Sequence, residues 1–92
     1  MNLSAQVSAA PTPLCVNLTW TASPDHGVKG WSGYIVQRAV GTGVFKPMQT
    51  KPFLGCKYKD GGVKRGTTYR YQVIAYVGSV ASKPSNIVSV TP

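Results

Sequence analysis

The sequence predicts an all-β protein, a seven-stranded antiparallel sandwich of two sheets, and three observations carry that prediction. Strand-length runs alternate large apolar residues with polar ones, which is the period of a half-buried strand. Gly, Pro, Asn, Asp and Ser recur at short intervals between those runs, the punctuation of a sandwich. No helical period of useful length, internal repeat or low-complexity tract interrupts the pattern. At 92 residues the chain is expected to form one domain, 1–92, excised from a larger multidomain protein. A body this small holds one thin core and leaves little room for an enclosed cleft.

The first run is Ala5 to Ala9, an edge strand stopped by Pro11 and Pro13. The second, Leu14 to Thr21, turns Val16, Leu18 and Trp20 to one face. A polar loop from Ala22 to Gly27 follows, and Gly30 and Gly33 lead to the third run, Tyr34 to Arg38, with Tyr34 and Val36 inward. Gly41-Thr42-Gly43 is a tight hairpin turn into Val44-Phe45-Lys46. Pro47 and Pro52 bound a short, irregular edge segment there. Lys57 to Asp60 is a brief strand broken by Gly61-Gly62. Tyr69 to Val77 is the longest strand, with Tyr69, Tyr71, Val73 and Ala75 facing the core. Gly78 to Ser82 reads as a loop and Ile87 to Thr91 as the last strand. Tyr69 stands at a strand start, where a tyrosine often turns its hydroxyl back to the preceding loop backbone.

Charge is the unusual feature of the composition. Ten Lys and Arg stand against Asp25 and Asp60 alone, for a net charge of +8. Such a body favours polyanions, among them nucleic acid, acidic glycans, teichoic acids and anionic membrane surfaces. The plainer account is a solvated basic surface that keeps the domain soluble. Lys46, Lys51, Lys57, Lys59, Lys64, Arg65 and Arg70 all fall in one stretch of the chain. No apolar run is long enough to give a transmembrane segment. Met1 to Val7 lacks the basic start and apolar stretch of a signal peptide, so a longer precursor, or no export by that route, is expected.

Cys15 and Cys56 are candidates for a disulfide in an oxidising compartment. The alternation argues against the pairing. Cys15 is out of phase with Val16, Leu18 and Trp20 and is expected to face solvent, whereas Cys56 is in phase with an inward Tyr58. Two unpaired cysteines are the expectation, and the ligand set for a structural metal is missing.

Five segments in order are similar to a fibronectin type III domain. They are Val16-Asn17-Leu18-Thr19-Trp20, Gly33 to Arg38, Tyr58 to Val63, Gly66 to Ala75 and Pro84 to Pro92. The likeness covers nearly the whole chain, and Tyr58-Lys59-Asp60-Gly61-Gly62 with Pro84-Ser85-Asn86 resembles bacterial members. It implies an immunoglobulin-like seven-stranded sandwich. It also implies a non-catalytic accessory module of a secreted polysaccharide-degrading enzyme or surface protein, acting as a spacer or contacting protein or glycan. Neighbouring domains of the same polypeptide or another protein are the implied partners, in an extracellular or cell-surface setting. The family typically lacks cysteine, so Cys15 and Cys56 depart from its pattern, and no Arg-Gly-Asp stands in the Val77 to Ser82 loop.

Catalysis has little to work with. The single histidine, His26, lies beside Asp25 in a turn, where Asp25 is expected to satisfy backbone amides, and no nucleophile elbow surrounds any serine. Without glutamate, and with Asp25 and Asp60 in separate turns, a glycosidase carboxylate pair is implausible. Neither a catalytic residue nor a cofactor is expected. Two surfaces remain. Ile35, Gln37, Arg70, Gln72, Ile74, Tyr76 and Ile87 share the outward phase of three strands that neighbour one another in the family, and suggest a protein-contact patch. Scattered surface hydrophobics that merely suit strands are the alternative. Lys57 and Lys59 alternate outward from Tyr58. With Lys64 and Arg65 in the next loop they suggest the alternative function, a polyanion-binding adhesion or virion-surface module that contacts, for example, acidic polysaccharide. Sequence-specific nucleic-acid reading is not expected, because few aromatics interleave with these cations.

Overall fold

The computed structural model describes residues 1–9 and 13–92. Eight strands follow one another: β1 (Leu3–Ser8), β2 (Cys15–Trp20), β3 (Trp31–Val40), β4 (Lys46–Pro47), β5 (Lys57–Asp60), β6 (Tyr69–Val77), β7 (Val80–Ala81) and β8 (Val88–Val90). All pair antiparallel, in a three-stranded sheet β1-β2-β5 and a five-stranded sheet in which β4, β3 and β6 follow in order, with β7 and β8 both on the far edge of β6. The two-sheet sandwich expected from the alternation, immunoglobulin-like as the resemblance implies, is therefore present. The added strand is β7, where Gly78 at φ +60 lets Val80 and Ala81 fold back on Val77 and Tyr76. Strand β3 is also longer than its alternation shows, because Gly33 interrupts the pattern with a bulge and pairing resumes at Trp31. Pro11, expected to stop the first strand, lies outside the described residues.

Most of the core comes from the inward residues of three strands, Val16, Leu18 and Trp20 of β2, Tyr34 and Val36 of β3, and Tyr69, Tyr71, Val73 and Ala75 of β6, joined by Leu3 of β1 and by Val63. Each large side chain removed from water contributes roughly 1.5–3 kcal/mol. Trp20 packs edge-on to Tyr34 and Phe53, with ring centroids 5.5 and 5.8 Å apart. Phe53 is brought in by the backbone: its carbonyl accepts from Tyr34 N–H at 2.8 Å, and its own N–H donates to Tyr34 O at 3.0 Å. That approach needs Gly33, whose φ is +124 and where a Cβ would collide with the Phe53 carbonyl. The hydroxyl of Tyr69 accepts Lys64 N–H at 2.8 Å, the bond back to the loop expected of a tyrosine at that strand start.

Side chains finish the edges that short strands leave open. Gln49 stands in for a strand along β3, accepting Val36 N–H at 3.3 Å and donating to Tyr34 O at 3.2 Å. Between β7 and β8, Ser82 accepts Ala75 N–H through its Oγ and returns its own N–H to Ala75 O. Ser85 does the same for Val73. Asn86 brackets Leu3 of β1 at 2.8 and 3.0 Å. Buried or half-buried backbone groups are costly when unpaired, so this polar segment, 82–86, completes both sheets.

The body measures 42 × 27 × 21 Å, and register sets the start of β1 beside Trp20 and the end of β8 beside Tyr69, at opposite ends of the strands. Asn2 exchanges hydrogen bonds with Thr21 beside the Trp20 end of β2. The Pro92 carbonyl accepts Gly66 N–H at 2.7 Å near the start of β6.

Both cysteines are free. The expected exposure of Cys15 is corrected: it keeps the outward phase, outside the core cluster, yet is 2 % exposed. It starts β2 opposite Ser8, and its thiol lies 4.0 Å from Asn17 Oδ1, on a row of neighbours that shields it. Cys56 is half-buried against the core.

Candidate functional site

The strongest polar constellation lies at the edge of the core, and neither of its charged members was among the expected site residues. Arg38 shares the inward phase of Tyr34 and Val36, and Asp60 that of Tyr58. Their side chains meet between the sheets, Arg38 Nη1 at 2.9 Å from Asp60 Oδ2. The same carboxylate oxygen accepts the Tyr71 hydroxyl at 2.7 Å, while Oδ1 accepts Gly62 N–H at 3.0 Å. Asp60 is thus a strand residue with every bond directed inward. Arg38 also lies over the Tyr69 ring, 5.2 Å from its centroid. Burial opposes the charge on Arg38, and the bonded Asp60 carboxylate outweighs it, so the Arg38 pKa moves up. Burial first, and then the bond to Asp60, raise the Tyr71 pKa well above the ordinary tyrosine value. Inward phase plus the scarcity of acids is the signal that finds this cluster. Its carboxylate is 3 % exposed and fully engaged, which suits a structural clasp and not an acid or base acting on a substrate.

His26 is more occupied than a free turn residue. Its Nδ1 lies 2.8 Å from the Tyr34 hydroxyl, and its ring lies 5.0 Å from that of Trp31. The Tyr34 hydroxyl also accepts Ser23 N–H at 2.9 Å. In that turn Ser23 Oγ, and not the Asp25 carboxylate, accepts a backbone amide, the N–H of Asp25 at 3.2 Å. Among the described residues no group of three or more His, Cys, Asp or Glu gathers to hold a metal ion.

The structure brings most of the expected contact patch onto one face of the five-stranded sheet. Register sets Ile35 opposite Ile74 and Gln37 opposite Gln72, and the two amides bond at 2.7 Å. Exposure is where the expectation is corrected. Ile74 is 9 % exposed, because the pairing of β3 and β6 encloses it, and Ile35 and Tyr76 are half-buried. Arg70 is turned aside: it donates to Gly41 O and Gly43 O at 2.9 and 2.8 Å, and its guanidinium stacks 5.1 Å over Phe45. Ile87, exposed, precedes β8 and is not part of a strand.

The basic residues are placed otherwise. Lys57 and Lys59 are exposed on the outer face of the three-stranded sheet, opposite Thr19 and Asn17. With those two residues they border a groove of about 370 Å³. Neither lysine takes part in an ion pair among the described residues. Lys64 and Arg65 are exposed in the turn before Tyr69, outside the strand that carries Lys57 and Lys59. A second open groove, about 570 Å³, runs along Arg38, Val40, Val44, Lys46 and Met48.

Comparison with known proteins gives a consistent picture. No family model matches the chain. An Fn3-like protein of Clostridium thermocellum superposes with a TM-score of 0.76 at 30% identity, over 99% of this chain and 88% of that one. The solution structure of a human fibronectin type III domain gives 0.65 at 26% identity, over 98% and 83%. An amylopullulanase of Thermoanaerobacterium saccharolyticum is 36% identical over 77 residues, 84% of this chain. The chain spans only 6% of the length of that enzyme.

Proposed function

The chain belongs to the fibronectin type III family, and from that premise we propose that it is a non-catalytic accessory module of a larger extracellular polypeptide. It sits in series with other domains, holding them apart and contacting them. The observation that carries this reading is that the first strand enters beside Trp20, at one end of the sandwich, and the last strand leaves beside Tyr69, at the other. Both termini are anchored by backbone bonds, at Thr21 and at Gly66. A domain entered at one pole and left at the other sets a fixed separation between its neighbours, which a flexible linker does not. Similarity to a small part of an amylopullulanase supports a place within a secreted polysaccharide-degrading enzyme. The same reading excludes chemistry in this module: its best-organised acid is sealed by Arg38 and Tyr71. The half-buried face around Ile35 and Tyr76 is the part of the five-stranded sheet that a neighbouring domain would cover.

The test replaces the module, in the polypeptide that carries it, by a Gly/Ser linker of equal contour length, and measures interdomain distance by small-angle scattering. A narrow distance distribution should broaden and shift to shorter values. An unchanged distribution would sink the spacer reading.

A further inference from the structure

We propose that the free edge of β5 is a docking site for an extended acidic peptide, which adds to the three-stranded sheet as a fourth strand. The argument begins with hydrogen-bond phase. Trp20 N–H donates to Cys56 O at 3.1 Å, which makes Trp20 and Cys56 a bonded pair. In an antiparallel ladder bonded and non-bonded pairs alternate, so Leu18–Tyr58 and Val16–Asp60 are bonded too. Thr19–Lys57 and Asn17–Lys59 are then the non-bonded pairs. The N–H and C=O groups of Lys57 and Lys59 therefore point away from β2, off the sheet. Among the described residues no strand other than β2 pairs with β5, and no loop backbone bonds to either lysine.

Side chains cover several other edges of the sandwich, although Ala5 and Val7 on the outer edge of β1 also face off the sheet, without lysines beside them. Gln49 covers the edge of β3, Ser82 and Ser85 close the gap along β6, and Asn86 brackets the start of β1. On β5 the guards among the described residues are two ammonium groups, those of Lys57 and Lys59. Lysines on an edge discourage pairing with another copy of a chain carrying +8, and they favour a strand of opposite charge. In an antiparallel addition the residues opposite Lys57 and Lys59 exchange both backbone bonds with them and project side chains to the same face. Acidic residues suit those two positions. The residue between them faces Tyr58, which is half-buried against the core, so an apolar side chain suits it. An acid–apolar–acid segment thus satisfies four backbone groups and two charges. A sulfated or phosphorylated polymer carries no row of backbone N–H donors spaced to meet both lysine carbonyls, so the peptide is the better match.

The probe is a capped peptide, Thr-Glu-Val-Glu-Thr, titrated into the full chain at low salt and followed by amide hydrogen exchange. Exchange at the Lys57 and Lys59 amides should slow on saturation. Methylating the two glutamate nitrogens keeps the charge and removes the donors, and should weaken binding by about tenfold or more, on the scale of two lost hydrogen bonds. The paired change Lys57→Glu with Lys59→Glu should abolish measurable binding. Equal affinity for the methylated peptide would overturn the proposal, as would unprotected lysine amides in the bound state. Tighter binding of a heparin fragment without amide protection would overturn it in favour of a simple polyanion surface.

Discussion

The hydroxyl of Tyr71 donates to Asp60 Oδ2 at 2.7 Å, and that one oxygen also takes Nη1 of Arg38 at 2.9 Å. Asp60 pairs with Val16 on β2, while Arg38 and Tyr71 pair with each other across β3 and β6. A single carboxylate therefore joins the two sheets. The net charge of the chain does not show this, because one of its two acids is spent inside the sandwich.

Replacing Asp60 by Ala should be the most damaging single polar change. It leaves the Tyr71 hydroxyl and the Gly62 amide without their acceptor and Arg38 with only the Gly62 carbonyl at 3.3 Å. The cost is about 3 kcal/mol, the lower end for a broken buried pair because Arg38 is partly exposed. Urea unfolding followed by tryptophan fluorescence measures it. A loss below about 1 kcal/mol, the scale of a surface pair, would show that the clasp adds little.

Tyr71 also sets the alkaline limit. Burial, and next the bond to Asp60, hold the folded-state pKa of its hydroxyl above the unfolded value. Below about pH 10, the ordinary tyrosine value, both states keep the proton and the stabilisation is complete. Above it the unfolded chain releases the proton first, so stability falls as pH rises. Tyr34, raised chiefly by burial, adds to the slope. Urea midpoints between pH 8 and 12 should be flat and then decline, and Tyr71→Phe should flatten the decline. An unchanged slope in that variant would contradict the assignment.

Gly33→Ala should destabilise by more than the roughly 1 kcal/mol that separates Gly from Ala in ordinary positions. The methyl meets the Phe53 carbonyl and forces a left-handed φ on alanine. Gly27→Ala, also at positive φ but with open space around it, is the control. Thermal unfolding of the two separates collision from backbone strain, and equal losses would refute a packing role for Gly33.

Tyr69→Phe removes the acceptor for Lys64 N–H and should cost about 1–2 kcal/mol with the core otherwise intact. Hydrogen exchange at the Lys64 amide should rise sharply in the variant. A protected amide there would mean that another group holds the turn.

Much of this architecture was readable from alternation, because Val16, Leu18 and Trp20, or Tyr69, Tyr71 and Val73, bury one side of a strand without ambiguity. The same phase rule, carried through, sends Arg38 and Asp60 inward, yet charge alone argues that they belong outside. Only their mutual pairing resolves the conflict, and pairing is a fact of three dimensions. The short β7 was hidden for a different reason: Val80 and Ala81 make a strand of two residues, too short to show any alternation. Ile74 shows the limit of phase itself. Its direction was correct, but its burial depends on neighbours across the ladder, so Ile74→Ser is a stability change as well as a surface one. Cys15 is the same case on the opposite sheet. The open edge of β5 was invisible in the sequence, since alternation places side chains and says nothing of which amides face a partner.

The opposed termini have a mechanical consequence. Strands β1 and β8 lie against each other, and both run from the Met1 pole toward the Pro92 pole. Tension applied through the two ends slides these strands lengthwise past one another and does not peel them apart from a tip. The ladder bonds of β1 to β2 and of β8 to β6 then bear the load together, so the module resists as a unit and gives way in one abrupt step.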